Sequence, residues 1–468
     1  MEYISTRGEA PSLGFRGVLM AGLASDGGLY VPVSWPSVSP REIAGFRGRR
    51  YADVAFEIVR RFVDGDIPPE HLRAMCVEAY ATFDDPRVAP LRQLYPDLYV
   101  LELFHGPTLA FKDVAMQLLA RMMDYALAEN GEHTTIVGAT SGDTGAAAIE
   151  AFGGRQNVDV FILFPKGRVS PFQQRQMTTT GAANVHPVAI EGTFDDCQAI
   201  VKQLFGKAGF RHEFALSGVN SINWARIIGQ IVYYFTAAAE LGSPDRPVSF
   251  AVPTGNFGDI FAGYAAKRMG LPIERLVIAT NVNDILARAL ANGRYDVQGV
   301  MPTTSPSMDI QVSSNFERLL WEASNRDAAA VRTMMGELQS RGVFTIGEPA
   351  LSAIRRDFQA GRADEAEVAA TIGKTYRETG FLPDPHTAVG IAVAGRLARP
   401  GLPMVALSTA HPAKFAAAVK AAAGVEPQLP QGFASILTKR ESYATLANDM
   451  RAVEEYIRAK TRAHAEKA

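Results

Sequence analysis

The sequence predicts an α/β protein built around parallel β-sheets. From about residue 97, short runs rich in β-branched and aromatic residues, such as LYVLELF and VDVFILF, alternate with amphipathic helical runs. This alternation is typical of parallel strands that helices connect and cover. It resumes at VSFAVPTGNFGD and again at LPMVALSTAHPAKF. With 468 residues the chain is also longer than a domain with a single hydrophobic core usually is, so two or three domains are expected.

The order of patterns along the chain predicts three regions. Residues 1–90, with SDGGLYVPVSWP and the amphipathic YADVAFEIVRRFV, form a separate amino-terminal cap domain. Residues 91–255 form an α/β core that includes a smaller domain, and residues 256–468 form a large α/β domain with carboxyl-terminal helices. Within the large domain, residues from about 313 to 397 are mostly of helical spacing, which predicts a helical insertion.

Composition excludes several classes of protein. Lys and Arg total 47 against 49 Asp and Glu, a net charge of -2 without a basic block, so nucleic acid is not an expected partner. The longest apolar runs are shorter than a membrane span, and the amino terminus lacks the pattern of a secretory signal. The two cysteines, Cys76 and Cys197, give no disulfide framework. We therefore expect a cytoplasmic protein without a membrane partner, and the sequence leaves monomer and homodimer open.

Two glycine-rich segments follow predicted strands and open predicted helices. They are GATSGDTGAAAIEAF at residues 138–152 and PTGNFGDIFAGYAA at residues 253–266. Such loops turn backbone N–H groups toward a ligand, and the helix dipole favours phosphate or carboxylate there. Alternatively, the glycines only form tight turns, with Asp143 and Asp259 as helix caps. Neither segment has the G-x-G-x-x-G pattern of a dinucleotide site, although a nucleotide-binding regulatory module remains a distant alternative.

Lys112 ends the segment HGPTLAFKD at the start of a predicted helix. An apolar approach and a helix amino terminus both disfavour the ammonium form and lower the pKa of a lysine. A neutral amine can form a Schiff base, as pyridoxal phosphate (PLP) requires. The alternative is a lysine whose amine reaches water while its stem is buried.

Six segments together carry a resemblance to a known family. HGPTLAFKDVAMQ, GATSGDTGA, VNSINWARI, PTGNFGDIFAGY, DPHTAVG and STAHPAKF occur in this order, and STRG with DGGLYVP precedes them. The chain resembles the threonine synthase family of the tryptophan-synthase-β-like, or fold type II, PLP enzymes. That resemblance implies two sheet-containing domains around a PLP cleft, with Lys112 as the Schiff-base lysine.

The resemblance also implies the other site residues. The PLP phosphate would be bound at Gly255, Asn256, Phe257, Gly258 and Asp259, and Thr409 would face the pyridine nitrogen. The substrate would be bound at Thr140, Ser141, Gly142, Asp143 and Thr144, with Arg226 and Lys166 as cations for its phosphate.

Two groups of residues keep open roles in this scheme. Many relatives in the wider group have asparagine at the position of Asp143, so we interpret Asp143 first as a helix cap and leave a proton-transfer role as the alternative. His105, His386 and His411 lie in family motifs without the spacing of a metal site, and both proton-relay and structural roles are open. No metal is expected.

The implied reaction converts O-phospho-L-homoserine and water to L-threonine and phosphate. It proceeds by β,γ-elimination followed by addition of water at Cβ, the last step of threonine biosynthesis. The alternative is another lyase of the same group, such as a hydroxy-amino-acid dehydratase or a phospholyase.

Overall fold

The computed structural model of the protein describes residues 1–462. Within that range the strands are β1 (Tyr3–Ser5), β2 (Tyr30–Pro32), β3 (Leu91–Tyr95), β4 (Leu98–Glu102), β5 (Thr134–Ala139), β6 (Val158–Pro165), β7 (Val185–Glu191), β8 (Leu216–Ser217), β9 (Val248–Pro253), β10 (Ile273–Thr280), β11 (Arg294–Asp296), β12 (Val343–Thr345), β13 (Phe358–Arg362), β14 (Met404–Ser408) and β15 (Ala444–Ala447).

The helices alternate with these strands over most of the chain. They are α1 (Phe15–Ala21), α2 (Pro40–Gly45), α3 (Tyr51–Val63), α4 (Pro69–Tyr80), α5 (Lys112–Asn130), α6 (Asp143–Phe152), α7 (Pro171–Thr178), α8 (Phe194–Gly206), α9 (Ala208–Glu213), α10 (Trp224–Glu240), α11 (Gly258–Arg268), α12 (Ile285–Asn292), α13 (Phe316–Ala323), α14 (Ala328–Arg341), α15 (Glu348–Asp357), α16 (Glu365–Thr379), α17 (Pro385–Leu397), α18 (Ala416–Ala423) and α19 (Met450–Lys460). Short 3-10 helices lie at Pro306–Met308, Pro412–Phe415 and Ala434–Leu437.

Two larger sheets carry the α/β architecture that the sequence predicts. The first has the order β13-β10-β9-β14-β4-β3, and all its pairs are parallel except β3 with β4. The second has the order β15-β7-β6-β5-β8 and is parallel throughout. Strand β6 is buried along its whole length, as expected for a parallel strand covered on both faces by helices. The predicted fold class is confirmed.

The amino-terminal region packs against the larger sheet unit rather than forming a core of its own. Its antiparallel pair β1 and β2 and helices α1 to α4 share one continuous apolar cluster with α5 and α10. At the centre of this contact the Trp224 ring lies 6.2 Å from the Tyr3 ring and 6.0 Å from the Phe62 ring, between ring centroids. The cap is thus continuous with the body of the protein.

The strand pairing bears on two of the expected regions. Besides helices α13 to α17, the region from 313 to 397 contains β12 and β13, and β13 is the edge strand of the larger sheet, paired in parallel with β10. A division at residue 255 would separate β9 from β10, which are paired neighbours in that sheet. No described helix is long and apolar enough to cross a membrane.

The carboxyl ends of several parallel strands bring the predicted site together. The loop after β4 leads to Lys112, the loop after β5 leads to α6, the loop after β9 leads to α11, and Thr409 follows β14. Two backbone bonds join the first and last of these: Leu103 N–H donates to Ser408 O and Phe111 N–H to Thr409 O, each at 2.9 Å. Ligands of parallel α/β sheets bind at such ends.

Candidate active site

The loop before Lys112 is fixed by the residues of its own motif. Asp113 accepts hydrogen bonds from the backbone N–H and the hydroxyl of Thr108, at 2.8 and 2.7 Å. A Cβ atom on Gly106 would lie 2.5 Å from the Asp113 side chain, so only glycine leaves room for this contact. Burial raises the pKa of Asp113 to about 6 despite both bonds. Helix α5 then begins at Lys112 itself.

Lys112 is a buried amine with few partners. Its Nζ lies 3.6 Å from Oδ2 of Asp143 and 4.7 Å from the centroid of the Phe111 ring. Burial lowers the pKa of Lys112, Asp143 opposes this effect, and the Arg226 and Lys414 cations add to it. Lys112 therefore does not extend its amine to water, as the alternative interpretation of the sequence had it. The geometry favours a neutral, nucleophilic amine.

Asp143 does not cap helix α6, so that interpretation was wrong. The cap position is Gly142, without a side-chain bond, and Asp143 is the first helical residue. Its carboxylate accepts a bond from Gln173 Nε2 at 2.8 Å and faces two lysines, Lys112 and Lys414. Burial alone would raise the pKa of Asp143, but the two cations and the Gln173 amide hold it well below its usual range.

Lys414, from the 3-10 helix Pro412–Phe415, is the second lysine at Asp143. Its Nζ lies 2.9 Å from Oδ1 of Asp143 and donates to Thr108 O at 2.6 Å and to Gln176 Oε1 at 3.1 Å. Three acceptors match the three donors of an ammonium group. Lys414 therefore joins the Lys112 loop, helix α6 and helix α7 in one buried contact.

The loop after β5 uses its polar residues differently from the prediction. The Thr140 hydroxyl accepts the backbone N–H groups of Gly142 and Gly145, at 3.0 and 2.9 Å. Thr140 thus shapes the loop as an acceptor, while its own O–H donor has no acceptor in residues 1–462. Gly142 has φ +143°, a conformation that residues with side chains rarely adopt.

The donors that remain in this loop face outward. Ser141 is exposed and Thr144 is half-buried, and neither side chain makes a hydrogen bond to another described residue. The backbone N–H groups of Asp143 and Thr144 also have no partner in residues 1–462. Hydroxyls and free N–H groups at a helix amino terminus are suited to a carboxylate.

The loop after β9 presents an unbroken series of free backbone donors. No N–H group from residue 255 to residue 260 donates a hydrogen bond within the described chain. Phe257 has φ +64°, and the loop is held from behind by Ser313, whose hydroxyl donates to Gly255 O at 2.6 Å. A Cβ atom on Gly255 would lie 2.7 Å from Ser307 O. This loop is a cradle for a phosphate group.

Asp259, in the first turn of α11, points away from water. It accepts the Tyr233 hydroxyl on Oδ1, and Tyr234 donates to the same atom at 3.1 Å. Its Oδ2 atom is buried without a partner in the described residues. Burial raises the pKa of Asp259 to about 6, although both tyrosine bonds and Lys112 act in the opposite direction. Its side chain does not bond its own helix terminus as a cap would.

Thr409 lies at the carboxyl end of β14 with a hydroxyl that makes no hydrogen bond to the described residues. Its backbone N–H donates to the Thr387 hydroxyl at 3.3 Å, and Thr387 in turn donates to the fully buried Asp384. His386 Nδ1 lies 2.7 Å from Asp384 and its Nε2 accepts a backbone N–H. His386 is therefore a structural histidine, and the Thr409 hydroxyl remains open to a ligand.

The two candidate cations for a substrate phosphate have different surroundings. Arg226 is buried in the first turn of α10, where Nη1 donates to Val219 O at 3.1 Å and Nε has no partner among residues 1–462. Burial lowers the pKa of its guanidinium group to about 10. Lys166 is exposed and forms an ion pair with Glu191 at 3.0 Å. The structure favours Arg226.

The other two motif histidines are also engaged locally. His105 lies between two carboxylates, with Nδ1 2.9 Å from Asp84 and Nε2 2.9 Å from Glu102. His411 accepts the Ala413 N–H on Nδ1, and burial lowers its pKa to about 4. Within residues 1–462, no group of three or more His, Cys, Asp or Glu side chains is placed to hold a metal ion.

Several residues of the site have no signal in the sequence. Gln173 and Gln176 lie in an ordinary polar stretch, and Lys414 gives no local indication of burial, although its STAHPAKF motif is part of the resemblance. At the start of α13, Asn315 donates to Asn256 O at 3.0 Å through both its backbone N–H and its Nδ2, behind the phosphate cradle.

The residues present fit pyridoxal phosphate. The cradle at residues 255–260 supplies unpaired N–H donors for the phosphate, and a buried amine with a lowered pKa, Lys112, is available for the aldehyde. The free hydroxyl of Thr409 offers a partner for the ring nitrogen.

Comparison with protein families covers nearly the whole chain. Residues 2–80 match the family model "Threonine synthase N terminus", residues 86–403 match "Pyridoxal-phosphate dependent enzyme", and residues 387–457 match "Threonine synthase, C-terminal". Among curated relatives, the threonine synthase of Pseudomonas aeruginosa is 50% identical over 459 residues, 98% of both chains.

Solved structures agree with these matches. The PLP-bound threonine synthase of Brucella melitensis has 61% identity and a TM-score of 0.97, covering 99% of this chain and 100% of that chain. Yeast threonine synthase has 40% identity and a TM-score of 0.93, covering 98% of both. A threonine deaminase of Solanum lycopersicum, at 15% identity and a TM-score of 0.50 over 81% of this chain and 93% of that chain, shares the fold alone.

The fold and the site together define a PLP-dependent enzyme of fold type II. Within that class, the chain belongs to the threonine synthase family.

Proposed function

We propose that the protein converts O-phospho-L-homoserine and water to L-threonine and inorganic phosphate. Full-length similarity to threonine synthases supports this reaction. The observation that carries it in the structure is Lys112, a buried amine beside Asp143, between two anion-binding helix termini. One terminus, at α11, suits the cofactor phosphate, and the other, at α6, suits the substrate carboxylate.

In this proposal each part of the site has a separate task toward the cofactor. Lys112 forms the covalent link, and the N–H groups of Gly255, Asn256, Phe257, Gly258 and Asp259 bind the phosphate. Thr409 offers its hydroxyl to the ring nitrogen. When bound, PLP supplies a ring that accepts negative charge from the substrate's Cα.

The substrate is oriented by charge at both of its ends. Ser141, Thr144 and the first N–H groups of α6 bind the α-carboxylate, while Thr140 and Gly142 keep that loop in shape. Arg226, rather than Lys166, binds the phosphate, because a buried guanidinium whose Nε has no partner among residues 1–462 gains most from an anion. Lys112, freed by the substrate amine, then moves protons at Cα and Cβ. Phosphate leaves from Cγ and water adds at Cβ.

The rival lyases of the same group would share Lys112 and the phosphate cradle. The amino-terminal region distinguishes them: its match over residues 2–80 is to threonine synthases, whereas the threonine deaminase shares only the fold. Two buried cysteines without disulfide bonds, Cys76 and Cys197, are consistent with a reducing compartment, and we assign the protein to the cytoplasm.

The direct test is incubation of the holoenzyme with O-phospho-L-homoserine, with phosphate release measured and the amino acid identified. We expect equal amounts of phosphate and L-threonine. A keto acid or vinylglycine as the main product would favour a rival lyase. Borohydride reduction and peptide mapping should locate the cofactor on Lys112, and Lys112→Ala should remove covalent attachment. A label on Lys166 or Lys414 would contradict the site assignment.

A further inference from the structure

Two buried lysines face one carboxylate in this site. Lys112 Nζ lies 3.6 Å from Oδ2 of Asp143, and Lys414 Nζ lies 2.9 Å from Oδ1. All three side chains are at least nine-tenths buried. One carboxylate can balance one ammonium, and a second cation in the same buried space would be left without a partner.

The hydrogen-bond partners decide which amine carries the charge. Lys414 has three oxygen acceptors, on Asp143, Thr108 and Gln176, the complement that an ammonium group requires. Among residues 1–462, the oxygen atom paired with Lys112 Nζ is Asp143 Oδ2, at the longer distance of 3.6 Å. The arrangement therefore places the positive charge on Lys414 and leaves Lys112 as the free amine.

We propose that Lys414 is a positioning residue for Lys112 and acts through the Asp143 carboxylate that lies between the two amines. Lys414 and Gln173 both bond Oδ1 of Asp143, so this oxygen is held away from Lys112 and only Oδ2 faces the Lys112 amine. This role deepens the proposed function, since it assumes that Lys112 is the reactive lysine.

The groups that face Lys112 come from four elements. They are Asp143 on α6, Lys414 on the 3-10 helix, Arg226 on α10 and Asp259 on α11. Of the two cations in this set, Lys414 is the one that contacts Asp143 directly. It also donates to Thr108 O, in the loop that leads to Lys112. Loss of its charge would leave Asp143 facing Lys112 alone, which stabilises the ammonium form of Lys112.

The test measures the protonation of Lys112 in the apoprotein. Pulses of acetic anhydride at a series of pH values, followed by peptide mass spectrometry, give the pH midpoint of Lys112 acetylation. In Lys414→Met we expect the midpoint to rise by about one pH unit or more, and in Asp143→Asn we expect it to fall by a similar amount. The matched control is Lys420→Met, because Lys420 is exposed and pairs with Glu426. In this variant the midpoint of Lys112 acetylation should equal that of the unmodified protein.

Opposite shifts in the two variants support the proposal. An unchanged midpoint in folded Lys414→Met, or a shift in the same direction as in Asp143→Asn, would overturn it, since a merely structural lysine changes stability and not the midpoint. If Lys414→Met does not fold, Lys414→Gln retains a donor for Thr108 and carries the same expectation. Borohydride mapping of the holoenzyme tests the proposed function separately from the role of Lys414. A label elsewhere than Lys112 contradicts the proposed function. A label on Lys112, without a shift of the Lys112 acetylation midpoint in Lys414→Met, contradicts only the role of Lys414.

Discussion

Gly142 and Gln173 meet so closely that a Cβ atom on Gly142 would lie 2.5 Å from Cδ and Nε2 of the glutamine side chain. The same Gln173 amide donates to Asp143 Oδ1 at 2.8 Å. The absence of a side chain at position 142 is therefore a condition for the orientation of the carboxylate beside Lys112.

We predict that Gly142→Ala impairs both stability and activity. Its φ of +143° strains any residue with a side chain, by about 1–3 kcal/mol, and the new methyl group would displace Gln173. Chemical denaturation and turnover, measured on the same preparation, check this expectation.

Gly154→Ala is the matched control at the other end of α6. Gly154 also has a positive φ, +79°, but a Cβ atom there would meet nothing within 4 Å. We expect a stability loss of about 1–2 kcal/mol from strain alone, with turnover retained. Equal losses of turnover in both variants would contradict a specific role for the contact between Gly142 and Gln173.

The sequence was sufficient for the elements whose signal is local. Strand β6 (VDVFILFP) is mostly apolar and β5 (TTIVGA) is rich in β-branched residues, and such strands alternate with helical runs, so the parallel α/β class could be predicted. The local chemistry of Lys112 and of the glycine-rich turn at residues 255–260 only made them candidates, and their roles toward PLP came from the resemblance of the six motifs to threonine synthases.

The sequence was not sufficient where distant segments meet. Asp143 resembled a helix cap because the first turn of a helix favours Asp there, but Lys414 and Gln173 claim its carboxylate through tertiary contacts. Strand β13, with the sequence FQAGR, has no apolar run and exists through its pairing with β10. The two bonds that the Thr140 hydroxyl accepts from N–H groups of its own loop also depend on the folded turn.

Arg226 should contribute to binding of the substrate phosphate. A hydrogen bond to a charged group contributes about 1.5–3 kcal/mol, so Arg226→Gln should raise the KM for O-phospho-L-homoserine and the inhibition constant of inorganic phosphate by roughly 10- to 100-fold. The Kd of PLP should change much less. Lys166→Gln removes a cation from an exposed ion pair and should change both constants less than twofold. If Lys166→Gln raised these two constants more than Arg226→Gln, the assignment of Arg226 to the substrate phosphate would be contradicted.

The contacts of Asp159 should make the attachment of the carboxyl-terminal segment less stable in acid. It is fully buried and bonds His133 at 3.0 Å, Thr461 at 3.0 Å and Arg462 at 2.6 Å. Burial alone would raise the pKa of Asp159, but these bonds lower it to about 2. A lowered carboxyl pKa stabilises the fold above the unfolded value near 4, and this contribution, about 2 kcal/mol, is lost as the pH falls from about 4 through 2.

Asp159→Asn should therefore be less stable than the unmodified protein at pH 7, and the difference should shrink below pH 4. Urea unfolding at pH 7, 5 and 3 measures the difference, and hydrogen exchange of α19 locates it. A difference that stays constant from pH 7 to pH 3 would show that the ionised carboxylate is not the source of the stability.

Arg318 should couple the amino-terminal region to the cofactor cradle. It is fully buried, donates to Tyr30 O at 3.1 Å, to Ile222 O at 2.6 Å and to the side chain of Asn315, and lies 5.3 Å from the Trp224 ring. Because Asn315 holds the Asn256 carbonyl, Arg318 acts on the cradle through one intermediate residue.

Arg318→Met keeps most of the buried stem but leaves three acceptors without their donor, at about 1–3 kcal/mol for each that stays unsatisfied. We expect lower stability and a weaker Kd for PLP, measured by absorbance titration of the apoprotein. Arg326→Met is the matched control, because Arg326 also lies over a tryptophan, at 4.8 Å from the Trp321 ring, and bonds the Val33 carbonyl of the amino-terminal region. It makes no bond to Asn315, so its loss should lower stability without weakening PLP binding. Equal weakening of the PLP Kd in both variants would mean that the cradle responds to general loosening of the cap rather than to the contact between Arg318 and Asn315.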